Sequence, residues 1–340
     1  MAPGPRVLLY ALGGGLGHAT RGLALARQLV RAGARVELLV ASRLAAAIPL
    51  EAELGERGLV RRLDPEQGPA ALRAAVAAAF ARATPDAVVV DTFPRGLLGE
   101  LPALLARCPA PRVWVQRLLA PEYVAWAGLP GNAPRFDLVL RPGEAVPGAR
   151  GRRTLATAPW LVRDARELLS PEAARAALGV DSDLPLVVVA GAGTPREVRA
   201  QSHLAERLVE RFSGRLTGRA EVRLLAPPSP GLAARWAWPL LEHLPGVDLL
   251  VGAGGYHTVH EARATGTPLL ALARPRLYDR QALRLRPEEL ARDEDDLLAR
   301  ALARCPTVRR AGRPDYAQGA ADASAALLAL LTRVPLCQEV

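Results

Sequence analysis

The chain has 340 residues, enough for about two domains, and half of them are hydrophobic, so sizeable cores can form. Aromatic residues make up only 4%, which leaves Ala, Leu and Val to fill those cores. The net charge of +10 invites a nucleic-acid reading, but every basic residue is Arg, the arginines are mixed with acids, and no RNA-binding aromatic motif accompanies them; nucleic acid is set aside as a partner, and only a weak peripheral attraction to anionic membrane or acidic ligands is kept.

The opening residues, MAPGPRVLLYALGGG, hold an apolar stretch that is short and runs into glycine, so 7–12 reads as a first strand and not as a signal peptide. Apolar runs at 36–41, 87–90, 113–115 and 138–140 read as further buried strands, and 20–31, 70–83 and 96–107 between them carry helical spacing. Residues 141–160, RPGEAVPGARGRRTLATAPW, are rich in Gly, Pro and Arg and read as an interdomain connection and a candidate hinge. Ser170 before Pro171, with Glu172 behind it, starts a helix. Alternation then resumes, with strands at 186–190, 222–226, 247–251 and 269–273, a helix at 194–212, and closing helices at 287–304 and 319–332. This rhythm predicts an α/β chain of two doubly wound parallel-sheet domains, 1–155 and 156–340, with ligands at the carboxyl ends of the strands in a cleft between the two.

Cys108, Cys305 and Cys337 are odd in number and far apart, with no metal or redox spacing, so they read as plain buried or surface thiols. No run of ~20 apolar residues predicts a membrane span, and a soluble, cytoplasmic protein is expected.

Two stretches carry chemistry. In ALGGGLGHATRGLALARQL, residues 11–29, four glycines lead directly to His18 and a helix. A glycine-rich turn opening a helix ordinarily holds a phosphate, so a histidine there needs a reason. In DLLVGAGGYHTVHEARATGTPLLALARPRLYDRQALR, residues 248–284, a strand ends at Val251, and Gly252, Gly254 and Gly255 make a tight turn into a helix near Tyr256, His257 and Thr258. Free N–H groups at that helix start attract an anion, and Thr258 adds a hydroxyl. Glu261, one turn further in, suits ribose hydroxyls. Arg276, Tyr278, Asp279 and Gln281, just past the next strand, suit a sugar.

Together these features resemble the donor half of the two-domain nucleotide-sugar glycosyltransferases, the GT-B fold of two Rossmann-like domains. The resemblance implies that Gly254, Gly255, Tyr256, His257 and Thr258 surround the pyrophosphate, that Glu261 binds ribose, and that Arg276 and the Asp279–Gln281 pair face the sugar. VVVAGAGT, residues 187–194, is similar to the loop of this superfamily that also faces the phosphates, through Gly191, Gly193 and Thr194. GGGLGHATR resembles its N-terminal Gly-x-Gly-His-x-x-Arg turn, here Gly15, Gly17, His18 and Arg21, and VVVDTFPRG its strand-end Asp-x-Phe, here Asp91 and Phe93. By this likeness His18 is the general base and Asp91 its orienting carboxylate. The pairing makes chemical sense, because a carboxylate fixes the imidazole tautomer and steadies the charge that forms as the ring takes a proton.

The resemblance implies a UDP-sugar or related donor as substrate, no cofactor, no metal, and an acceptor that is a small molecule, a lipid or a glycan. Nucleotide-sugar hydrolases and 2-epimerases share the fold and stand as alternatives, as does a non-enzymatic partner subunit. A dinucleotide site at Gly13–Gly17 is disfavoured by Ser42 where strand two should end in an acid, although Ser42-Arg43 tolerates NADP. His257 and Glu261 share a helix face but offer no third metal ligand. Trp236 and Trp238 read as core anchors or as flanks of a base pocket, and His203 and His243 as surface or structural.

Overall fold

The computed structural model describes residues 4–147, 152–213, 220–228, 234–305 and 316–332. Chain contacts divide it into two compact units, Met1–Val162 with Gln318–Val340, and Arg163–Ala317. The first unit runs β1 (Arg6–Ala11), α1 (Leu16–Arg31), β2 (Arg35–Val40), α2 (Leu50–Leu54), β3 (Gly58–Arg62), α3 (Pro69–Ala83), β4 (Ala87–Asp91), α4 (Leu101–Arg107), β5 (Arg112–Val115), α5 (Pro121–Trp126), α6 (Leu129–Asn132), β6 (Leu138–Pro142) and β7 (Thr154–Thr157). The second runs α7 (Pro171–Ala177), β8 (Leu186–Ala190), α8 (Pro195–Phe212), β9 (Glu221–Leu225), α9 (Leu240–His243), β10 (Leu249–Gly252), α10 (Tyr256–Thr265), β11 (Leu269–Ala271), α11 (Gln281–Arg284) and α12 (Glu294–Arg304). A last helix, α13 (Gly319–Leu331), returns to the first unit and packs on α1 and β7.

Each unit is built on a parallel sheet. The first has seven strands in the order β3-β2-β1-β4-β5-β6-β7, the second four in the order β11-β10-β8-β9. Both orders reverse direction once, between β1 and β4 and between β10 and β8. The loops leaving the two strands at such a point run to opposite sides and leave a crevice at the carboxyl ends, where open α/β sheets bind ligands. The predicted residues cluster at these two places: His18 and Asp91 at the first, the 191–194 and 252–258 turns at the second.

Burial explains why these strands were readable. Successive residues of β8 enter two different cores. Val187 and Val189 join Leu204, Leu208, Phe212 and Leu297 on one face, while Leu186 and Val188 join Val259, Ala262 and Leu244 on the other. A strand covered on both faces is apolar at every position. Each such Val or Leu contributes about 1.5–3 kcal/mol on full burial.

The structure corrects the reading of 141–160 as a connection. Thr154–Thr157 is β7, paired in register with β6 from Val139↔Thr154 to Pro142↔Thr157, and the boundary between units falls at 162/163. A polar edge strand has no second buried face to announce it. The helix expected over 96–107 begins only at Leu101, because the Glu100 carboxylate is tied to the Tyr10 hydroxyl and to the Leu98 N–H. The helix expected from 287 begins at Glu294, where Asp293 accepts from the Asp296 N–H. The Ser170 start stands, with Ser170 Oγ accepting from Ala173 N at 3.2 Å. Cys305 is buried, with a thiol pushed up to about 11 by that burial, Cys108 is half-buried, and Cys337 lies outside the described residues. Among the described residues no helix is long and apolar enough to cross a membrane.

Candidate active site

In the first unit, β1 delivers its chain to a glycine turn and α1 begins at Leu16, so His18 lies in the first helical turn and not on an exposed tip. Its ring is 19% exposed. The ring packs so closely on Gly13 that a Cβ there would overlap it, which is a reason for glycine at that position. Its other side stacks on Phe93, with centroids 5.4 Å apart and planes 28° from parallel.

His18 Nδ1 lies 2.6 Å from Asp91 Oδ2. Arg21, one turn further along α1 and buried, donates from Nε to Oδ1 at 2.7 Å and from Nη2 to Oδ2 at 2.6 Å. Arg21 Nη2 also donates to Thr92 Oγ1 at 3.0 Å, and that hydroxyl donates to Asp91 Oδ2 at 3.2 Å. Burial by itself pushes the Asp91 carboxyl up. The Arg21 charge and the His18 hydrogen bond more than offset this and hold it well below the usual carboxylate range. Thr92 has a φ of 63°, unusual for a β-branched residue, and its carbonyl accepts from Trp114 Nε1 at 3.2 Å. The backbone strain sits next to the carboxylate that the network fixes.

With Nδ1 engaged by Asp91, Nε2 is the ring nitrogen turned away from that contact. The helix behind it starts at Gly15 with no side-chain cap and no acid in its first turn.

In the second unit, two helix starts adjoin and differ in kind. At α8, Thr194 and Glu197 form a capping box. Glu197 Oε2 accepts from Thr194 N at 2.7 Å and from Thr194 Oγ1 at 3.1 Å, and Arg276 Nη1 pairs with Glu197 Oε1 at 2.6 Å. Part-burial acts to raise the Glu197 carboxyl, but the Thr194 N–H and the Arg276 charge bring it below its ordinary value. The phosphate-facing loop expected at Gly191, Gly193 and Thr194 therefore already has a carboxylate at its helix start. The Thr-x-x-Glu spacing that announces such a box is plain in the sequence.

At α10 the N-cap is Gly255, no side chain caps the helix, and the first turn carries no acid. Gly254 stands at φ 71°, and a Cβ there would press on Leu285. Its carbonyl accepts from Arg284 Nη1 at 2.9 Å, and Arg284 Nη2 donates to Asp279 Oδ1 at 2.6 Å. Gln281 Oε1 accepts from Arg274 N at 3.0 Å. Asp279 is thus locked to the glycine turn through Arg284, which the sequence does not single out, while Gln281 is held by the Arg274 backbone. Glu261 is buried, with His257 Nδ1 at 3.5 Å. Tyr256 turns inward, edge-on to His260 at 4.5 Å. No group of three or more His, Cys, Asp or Glu residues suited to a metal occurs among the described residues. Trp236 and Trp238 stack at 6.2 Å and are half-buried.

Two parallel α/β units, each with one reversal of strand order, match the GT-B fold. Solved structures bear this out over nearly the whole chain. The spinosyn forosaminyltransferase SpnP is 17% identical, covering 98% of this chain and 100% of its own, with a TM-score of 0.62. The Streptomyces sp. SF2575 glycosyltransferase SsfS6 in complex with thymidine diphosphate is 18% identical, covering 96% of both chains, with a TM-score of 0.55. A Listeria monocytogenes protein described as a UDP-N-acetylglucosamine 2-epimerase is 14% identical, covering 97% of this chain and 96% of its own, with a TM-score of 0.60. No protein-family model and no curated protein sequence matches the chain.

Proposed function

We propose that the protein is a glycosyltransferase that moves a sugar from a nucleoside diphosphate sugar, in the first instance a UDP-sugar, to an acceptor hydroxyl. The observation that carries this reading is the His18–Asp91–Arg21 chain at the strand reversal of the first unit. His18 Nε2 takes the proton of the acceptor hydroxyl as it attacks the anomeric carbon, and the ionised Asp91 steadies the imidazolium. The second unit holds the donor. As the bond to the sugar breaks, the diphosphate gains charge, and the positive end of α10 at Gly255, with Thr258, meets it. Glu261 is assigned to ribose, and Asp279 and Gln281, held by Arg284 and Arg274, to sugar hydroxyls. The thymidine diphosphate on SsfS6 supports a donor of this chemical class. No metal is assigned to this step, so activity is expected to survive EDTA.

The test is incubation of the purified protein with UDP-, TDP- and GDP-sugars, with and without a panel of hydroxylated acceptors. Acceptor-dependent release of nucleoside diphosphate with a glycosylated product supports the reading. Equal release without acceptor assigns a hydrolase, and an altered sugar still on its nucleotide assigns the epimerase chemistry that the Listeria neighbour brings into question.

A further inference from the structure

One ion pair of the second unit crosses the turn assigned above to the donor diphosphate. Glu197 stands in the first turn of α8, just past the end of β8, and Arg276 lies in the loop that leaves β11. In the sheet order β11-β10-β8-β9 these two strands are not neighbours, because β10 runs between them. Arg276 Nη1 nonetheless meets Glu197 Oε1 at 2.6 Å, so the pair spans the carboxyl end of β10, where the chain turns through Gly254 and Gly255 into α10. Capping the start of α8 does not explain the charge of this carboxylate, since glutamine closes such a box as well as glutamate does. Nor does the pair exhaust the cationic groups of the loop. Arg274, two residues before Arg276, has a buried Nε with no hydrogen-bond partner among the described residues. A negative charge fixed across a turn otherwise suited to an anion needs a reason.

We propose that Glu197 is a specificity-determining residue that sets the donor apart from its own product: its carboxylate disfavours the free nucleoside diphosphate more than the sugar-bearing one, and so promotes product release. This inference rests on the donor reading above and deepens it. In a nucleoside diphosphate sugar each phosphorus carries a single negative charge. Transfer breaks the bond between the anomeric carbon and the terminal phosphate oxygen, and the electron pair stays on that oxygen. The terminal phosphate then carries about −1.5 to −2 at pH 7. The added charge is near the Glu197 carboxylate, which the Thr194 N–H and Arg276 keep ionised. The Glu197 side chain is only 14% exposed, so like charges there repel more strongly than in bulk water. Charge on the leaving oxygen is partly developed while the bond breaks and complete in the product, so the repulsion falls hardest on the product. Arg276 on Oε1 and Thr194 on Oε2 moderate it, and the less charged donor is still admitted.

The experiment is calorimetry on the full chain with the diphosphates of uridine, thymidine and guanosine, each compared with its methyl ester on the terminal phosphate. The ester has the charge of the donor and no sugar, so the comparison isolates the charge. For the nucleotide that binds, Glu197→Gln is expected to tighten the free diphosphate about tenfold and the ester about threefold. The glutamine keeps the capping box, so the melting temperature should stay at the wild-type value. Arg276→Gln leaves the Glu197 charge without its cation and is expected to weaken the free diphosphate more than the ester; this comparison decides if Glu197→Gln loses stability. Equal changes for the two ligands in Glu197→Gln, or a larger gain for the ester, overturn the proposal, as does Arg276→Gln shifting preference toward the free diphosphate. An unmoved preference with good nucleotide binding leaves the donor reading standing. Binding of no nucleotide by any form of the protein sinks the donor reading and this inference with it.

Discussion

Arg21 holds both carboxylate oxygens of Asp91, and one of them, Oδ2, is the atom that His18 Nδ1 meets. The carboxylate is therefore oriented from behind before it orients the imidazole. Its folded-state pKa lies below the unfolded value of about 3.9, so its stabilisation is fully present above that pH and is lost as pH falls toward the folded value. Asp91→Asn removes the negative charge that the buried Arg21 guanidinium faces and is expected to cost about 3–5 kcal/mol at pH 7. In denaturant titrations the gap between variant and wild type should shrink from pH 5 to pH 3. A gap that stays constant would mean Asp91 contributes no charge term.

His18→Ala is expected to bind nucleotide normally and to turn over about 10²–10⁴-fold more slowly. Its melting temperature should also drop, because the ring fills the space between Gly13 and Phe93. Losses in the double variant with Asp91→Asn should fall short of additive, since an orienting group is useless without its base. Additive losses in steady-state kinetics would separate the two residues.

Gly13→Ala tests placement without touching a polar group. The new methyl meets the His18 ring, so the ring must shift. A displacement of this kind is expected to cost about 10² in kcat, with nucleotide affinity unchanged. An unaltered kcat would show that the loop yields freely.

Much of this was readable from the chain. Continuous apolar runs announced β1, β4 and β8, because each is covered on both faces, and β2 was legible despite Glu37. The edge strands β3 and β7 escaped: GLVRR and TLAT are partly exposed and carry arginine or threonine where a central strand carries valine. The His18–Asp91 pairing came from motif likeness. The role of Arg21 on Asp91, and of Arg284 on Gly254 and Asp279, did not, because an arginine among so many has no periodicity that marks its partner. Glu197 was missed as well, although its box with Thr194 has a fixed spacing that the sequence displays.

Arg284 makes the proposed donor role of the Gly254 turn testable from outside it. Arg284→Gln removes the donor to the Gly254 carbonyl and the partner of Asp279 and is expected to weaken UDP or TDP binding about tenfold by calorimetry. Arg284→Lys keeps the charge but not the two-pronged geometry and should recover only part of that affinity. Wild-type affinity in Arg284→Gln would detach this arginine from the donor site.

His243 lies buried at the end of α9, and that burial lowers its pKa below the ordinary histidine value, with Glu242 acting weakly the other way. The neutral ring is therefore favoured in the fold. Its contribution is complete above the unfolded value of about 6.5 and is lost as pH falls through the window beneath it. Wild type should lose stability between pH 7.5 and 5.5, and His243→Gln should lose less across the same range. Parallel curves in urea titrations would remove His243 as a source.

The chain leaves the first unit once, at 162/163, and re-enters it once, at 317/318, where Gln318 exchanges hydrogen bonds with both the N–H and the carbonyl of Leu161 and α13 packs on α1. The second unit is in effect an insertion in the first. During synthesis the unit that emerges first must wait for residues beyond 318, while the inserted one holds all of its own strands and can close earlier. A chain released after Ala317 is expected to show a protease-resistant second unit and a first unit that is digested. Its His18–Asp91 pair would be lost through a truncation more than a hundred residues from any strand of its sheet, so harm from a late nonsense mutation should be read as damage to the first unit and not to the second unit that precedes the break.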